Sequence, residues 1–121
     1  MSGYQDLKVW QQGIEITRKV YALTSQFPDN EKFGLVSQLR RCAVSVPSNI
    51  AEGHSRESRK ELIRFTLIAK GSLAELETQL IISKELGFGD PVTIDELLTT
   101  VKEEGRMLSG LRRSLRAKPE N

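Results

Sequence analysis

Apolar residues in this chain return every third or fourth position in four separate stretches, a spacing that commits the chain to helices. In the first stretch Leu7, Trp10, Ile14, Thr17, Tyr21 and Thr24 follow one another at intervals of 3, 4, 3, 4 and 3. That is one helical face held for about five turns. Val9, Ile16, Val20 and Leu23 form a flanking row that widens the stripe beyond a two-stranded seam. The spacing predicts a helix over about 6–26 with Asp6 as its N-cap, ended by the turn-forming run Phe27-Pro28-Asp29-Asn30.

Val36, Leu39, Ala43, Val46 and Ile50 predict a second helix over about 31–52. Pro47 falls inside it, where a proline removes one backbone hydrogen bond at a cost of ~3 kcal/mol or more. A kink is expected there, with Ser45 or Ser48 partly satisfying the freed carbonyl, and Gly53 is expected to terminate the helix near its C′ position. A third helix is predicted over about 59–86, opened by Ser58 and Glu61 at capping-box spacing and closed by Gly87, Gly89 and Pro91. Its face of Leu62, Phe65, Ala69, Leu76, Leu80 and Leu86 is supplemented by Ile63, Leu67, Leu73 and Ile81, so contacts on more than one side are expected. A fourth helix over about 94–116 carries Ile94, Leu97, Val101, Leu108, Leu111 and Leu115, with Thr93 and Glu96 as a second capping box. Gly13, Gly71 and Gly105 lie inside predicted helices, each at a cost of ~1 kcal/mol relative to Ala, and close helix approach is expected to offset it. Short connections favour antiparallel neighbours. The expected fold is all-α, an antiparallel up-and-down four-helix bundle forming a single domain over residues 1–121.

This topology has a consequence for charge that the overall balance of +2 conceals. The hinge between helices two and three must share one end of the bundle with the C-terminus. That end collects Arg56, Arg59, Lys60 and Arg64 with Arg112, Arg113, Arg116 and Lys118. The opposite end collects Asp29, Glu31, Glu85, Asp90, Asp95 and Glu96. Residues 75–104 hold eight acids against Lys84 and Lys102, a charge of −6, which leaves +8 for the rest. Cations at helix C-termini and anions at N-termini complement the helix dipole, so part of the pattern is ordinary helix stabilisation. The excess of cations fits a polyanion-binding end.

Catalytic chemistry finds few supports. His54 is the one histidine and sits in the polar hinge; Cys42 flanks the apolar face of helix two as a buried structural thiol. Together they cannot build a structural zinc site, and no metal or other cofactor is expected. Glu75 and Glu77 are two apart on a helix and face different ways. Gly87-Phe88-Gly89-Asp90 lacks the lysine and spacing of a phosphate loop. A single cysteine, a polar N-terminus and the absence of a membrane-length apolar run point to a cytoplasmic protein with no membrane partner.

The run Ser45-Val46-Pro47-Ser48-Asn49-Ile50-Ala51-Glu52-Gly53 is unusual for a helix. It is followed by Ser58-Arg59-Lys60-Glu61-Leu62-Ile63-Arg64-Phe65 and by Ala69-Lys70-Gly71-Ser72-Leu73-Ala74-Glu75-Leu76-Glu77. With the opening Tyr4-Gln5-Asp6-Leu7-Lys8-Val9-Trp10, these segments resemble the bacterial four-helix-bundle family named for reading frames inside 23S rRNA intervening sequences. The resemblance spans roughly residues 4–115. It implies an up-and-down bundle assembled as a homopentamer, without established enzyme activity. The chain is also similar to accessory proteins of diversity-generating retroelements, which share the bundle and pentamer and bind nucleic acid. Within these motifs Asn49, Glu52, Ser72 and Glu75 read as structural polar residues. Asn49 and Glu75 are expected to be partly buried and hydrogen-bonded across helices or between subunits.

The function expected from these features is a non-enzymatic oligomeric bundle that binds nucleic acid, RNA foremost, through Arg56, Arg59, Lys60, Arg64, Arg112, Arg113 and Arg116. The alternatives are a protein-interaction scaffold without nucleic-acid contact, and an enzyme working through carboxylates alone.

Overall fold

Each apolar stretch forms one helix in the computed structural model, which describes residues 3–118. The helices are α1 (Lys8–Thr24), α2 (Leu35–Ser55), α3 (Arg59–Glu85) and α4 (Pro91–Ala117), with single 3₁₀ turns at Tyr4–Asp6 and Asp29–Glu31. Among the described residues there is no strand. α1 packs on α2 and α4, α3 packs on α2 and α4, and the diagonal pairs do not meet. This is an antiparallel up-and-down four-helix bundle. Its centre is built from Ile16, Leu39, Ile50, Leu76, Leu80, Ile94, Leu97 and Leu108, all at or near zero exposure.

Helix α1 is rolled relative to the expected face. Val9, Gly13, Ile16, Val20 and Leu23 are buried, whereas Ile14 and Tyr21 are 37% and 43% exposed. The cause is the contact between Gly13 and Pro47. A Cβ on Gly13 would stand 3.3 Å from the Pro47 ring carbons Cβ and Cδ. The proline ring thus occupies the space that a side chain at position 13 would need, and it draws the flanking row inward. α2 runs unbroken through Pro47. Proline has no N–H to give the Ala43 carbonyl. Thr17 on α1, rather than Ser45 or Ser48, serves that carbonyl: its Oγ1 lies 3.1 Å from Ala43 O and 2.8 Å from Gly13 O.

Several helix ends also differ from expectation. Asp6 lies in the 3₁₀ turn, and Leu7 stands at the N-cap of α1 without a side-chain cap. Gly53 does not end α2 but sits inside it, two residues before Ser55. A Cβ there would lie 2.7 Å from Phe65 Cβ, so its role is close approach to α3. α4 begins at Pro91, capped by Asp90, whose Oδ2 accepts from Thr93 N at 3.0 Å and Thr93 Oγ1 at 2.8 Å. The lost N–H of a proline costs nothing at the first helical position, so Pro91 opens the helix it was expected to precede. Gly71 and Gly105 have nothing within 4 Å of an added Cβ among the described residues, so packing inside the chain does not account for them. The Ser58 cap of α3 forms as expected, with Ser58 Oγ accepting from Glu61 N at 3.2 Å.

Candidate functional site

The hinge between α2 and α3 is three residues long, Arg56 to Ser58, and reverses the chain through Glu57 at φ 54°. That tight reversal brings the first turn of α3 to the end of the bundle where α4 finishes. Arg59 Nη1 donates to the Lys118 carbonyl at 2.8 Å, a contact between residues 59 apart in sequence. The hinge cations and the last turns of α4, with Arg112, Arg113 and Arg116, therefore occupy one pole.

The pole also carries acids, and they engage part of this charge. Arg56 pairs with Glu52 at 2.9 Å and with Glu61 at 3.3 Å. Arg64 pairs with Glu61 at 3.0 Å. Arg56 and Arg64 also lie over the Phe65 ring, with guanidinium carbons 4.9 and 4.6 Å from its centroid. The hydrogen bond from Arg64 is the main cause holding the Glu61 carboxyl below its ordinary range, and it raises Arg64 in turn. Lys60, Arg113 and Arg116 are exposed. Arg112 is half-buried, and its buried Nε has no hydrogen-bond partner among the described residues. A count of cations along the sequence does not reveal Glu61, whose spacing from Ser58 marks it only as a capping residue.

Of the polar motif residues, Glu52 belongs to the pole, and Asn49, Ser72 and Glu75 sit on the seam between α2 and α3. Asn49 Nδ2 donates to Ser45 O at 2.8 Å and to Ser45 Oγ at 2.9 Å; Ser45 Oγ meets Ser72 Oγ at 2.7 Å. Asn49 thus reaches α3 through Ser45. One turn along, Cys42 Sγ donates to Glu75 Oε2 at 3.7 Å. Burial, then the Glu75 charge, pushes the Cys42 thiol up, which keeps it protonated and a poor nucleophile. Glu75 is exposed, and Glu52 is exposed and bound to Arg56. The seam joins two helices through the neutral Asn49–Ser45–Ser72 chain and the Cys42–Glu75 contact, and converges on no reacting group.

The residue that sequence reading missed is Glu104. It has zero exposure, and neither carboxylate oxygen has a hydrogen-bond partner among the described residues. Position 104 lies three after Val101 and four before Leu108, so its spacing marked it as core while its charge argued against.

Among the described residues no group of three or more His, Cys, Asp or Glu could hold a metal ion, and no helix is long and apolar enough to cross a membrane. No curated protein matches the sequence. Residues 5–110 match the sequence pattern of the 23S rRNA-intervening sequence protein, and with most of its length so matched the chain belongs to that family.

Proposed function

We propose that this protein is a non-enzymatic oligomeric bundle, a homopentamer, that binds nucleic acid, RNA foremost, through its cationic pole. Arg56, Arg59, Lys60, Arg64, Arg112, Arg113 and Arg116 supply the charge. The observation that carries this reading is the Arg59–Lys118 hydrogen bond at 2.8 Å, because it joins two cation groups remote in sequence into one surface. Such a surface reads phosphates rather than bases, so binding is backbone-directed and falls steeply with salt. Repetition of the pole around a ring multiplies weak contacts through effective concentration.

The test is a titration of RNA and DNA into the protein at several salt concentrations, with solution mass recorded in parallel. Binding at low salt that weakens linearly in log–log form is expected. Failure of the intact oligomer to bind at low salt defeats the reading. A protein-scaffold reading has one observation of its own. Phe33 is 91% exposed and, with Val36 and Val44, lines an open groove of about 810 Å³ beside α2. A pull-down that survives nuclease treatment would favour that reading.

A further inference from the structure

A second cationic surface leaves the pole and runs along the groove between α3 and α4. Lys102, Arg106, Ser109, Arg113 and Arg116 stand 4, 3, 4 and 3 residues apart on α4, so they share one face. Lys102, Arg106, Ser109 and Arg113 line a groove of about 670 Å³, and Lys70 enters from α3 to donate to Ser109 Oγ at 2.7 Å. Gly105 leaves the floor open, since an added Cβ there would meet nothing within 4 Å.

The charge of this groove is less compensated than that of the hinge. Lys102, Arg106 and Arg113 are exposed and make no ion pair among the described residues, whereas Arg56 and Arg64 are held by Glu52 and Glu61. Lys102 belongs to the acidic stretch of the sequence, yet its acidic neighbours do not face the groove. Glu103 Oε1 accepts from Gln12 Nε2 on α1 at 2.8 Å, and Glu104 is enclosed in the core. Glu77 is the one carboxylate lining the groove among the described residues. A charge count along the chain hides this stripe because helix geometry sends the acids and the cations to different faces.

Resting on the nucleic-acid reading above, we propose that the groove binds the phosphodiester backbone of one nucleic-acid strand, with Lys70, Lys102, Arg106 and Arg113 as its contacts. From Lys102 to Arg113 the face extends about 16 Å at ~1.5 Å per residue. A strand laid along that length presents a few successive phosphates to the four cations. Arg113 and Arg116 make the surface continuous with the pole.

Three variants separate this proposal from the reading beneath it: Lys102→Gln with Arg106→Gln in the groove, Arg59→Gln with Arg116→Gln at the pole, and Lys19→Gln with Lys32→Gln as a charge-matched control. Each is titrated with a duplex RNA and a single-stranded RNA across salt, after solution mass and helical content are verified. The groove variant should weaken binding at least tenfold at low salt. It should also flatten the log–log salt slope by about 1 to 2, at ~0.9 per lost phosphate contact on a duplex and ~0.7 on a single strand. The control should stay within threefold of the unaltered protein. If the unaltered protein binds nothing, the functional reading fails and the groove proposal falls with it. If the unaltered protein binds and the groove variant matches the control, the groove proposal alone is overturned, whatever the pole variant does. A second measurement needs no variant. Bound RNA should protect Lys102, but not Lys19, from acylation in the unaltered protein; equal labelling of Lys102 with and without RNA counts against the groove.

Discussion

At Glu104 the core contains a carboxyl group with no exposure and no hydrogen-bond partner among the described residues. Burial first, and the Glu103 charge second, push this carboxyl from its ordinary 4.5 up to about 8. Below the unfolded value both states carry the proton, and the stability of the fold is complete. Between about 4.5 and about 8 the folded state holds a proton that the unfolded state has released, so stability falls as pH rises. The loss is at most about 1.4 kcal/mol per pH unit and ends above the folded value. Urea unfolding between pH 5 and 9 should therefore show a decline that Glu104→Gln flattens. Glu104→Leu should flatten it too and add more than about 1 kcal/mol at the alkaline end, because an apolar side chain leaves no polar atom unpaired. A decline unchanged in both variants would assign the pH dependence to other groups. Position 104 also illustrates a limit of residue type alone: its 3 and 4 spacing to Val101 and Leu108 belongs to the core face, and its charge conceals that.

At the scale of elements, α1 and α2 are matched through one four-residue arrangement. Gly13 makes room for Pro47, and Thr17, a turn further along α1, donates to the carbonyl that Pro47 leaves unserved. The value of Thr17 therefore depends on the proline. Thr17→Val should cost about 1–3 kcal/mol, the desolvation cost of an unpaired buried carbonyl. In a Pro47→Ala background the Ala43 carbonyl regains its helical N–H partner, and the same Thr17→Val change should cost less. A double-mutant cycle read by denaturant unfolding should give a coupling of at least about 0.5 kcal/mol, and additive costs would remove Thr17 from this role. Periodicity and turn residues made four helices legible, because apolar spacing is a property of each segment alone. The roll of α1 was not legible, since it depends on a ring on a different helix. The N-cap of α4 falls three residues before the expected Thr93, for a local reason. Asp90 and Thr93 are both good caps three residues apart, and only the tolerance of Pro91 for a first helical position separates them. The pole was legible because topology alone decides which ends meet, whereas the groove depends on the direction in which each acid of α4 turns.

For the whole molecule, the remaining feature is the outer face of α3. α3 packs on α2 and α4, yet Leu67, Ile68, Ile81 and Ile82 remain 40–47% exposed. These residues fall in two rows with identical spacing, 67 to 81 and 68 to 82, and the small residues Gly71 and Ala74 lie between them. A face that is apolar at both ends and small in the middle admits a second helix at close range, and a second copy of this chain fits the oligomer proposed above. In a cyclic assembly whose axis follows the bundle axis, every subunit presents its cationic pole on the same side of the ring. Under the function proposed above, assembly and nucleic-acid affinity are linked, because separate poles would lose the effective concentration of a ring. Leu67→Glu combined with Ile81→Glu should reduce the solution mass to that of the 13.6 kDa chain while keeping the helical spectrum, since both positions already lie at the surface. Binding of a long RNA should weaken by at least tenfold, whereas binding of an oligonucleotide too short to span two poles should change little. An oligomer that persists in this variant would place its interface away from α3. A monomer that binds long RNA as tightly as the parent would show that one pole and its groove suffice, with the ring adding nothing to affinity.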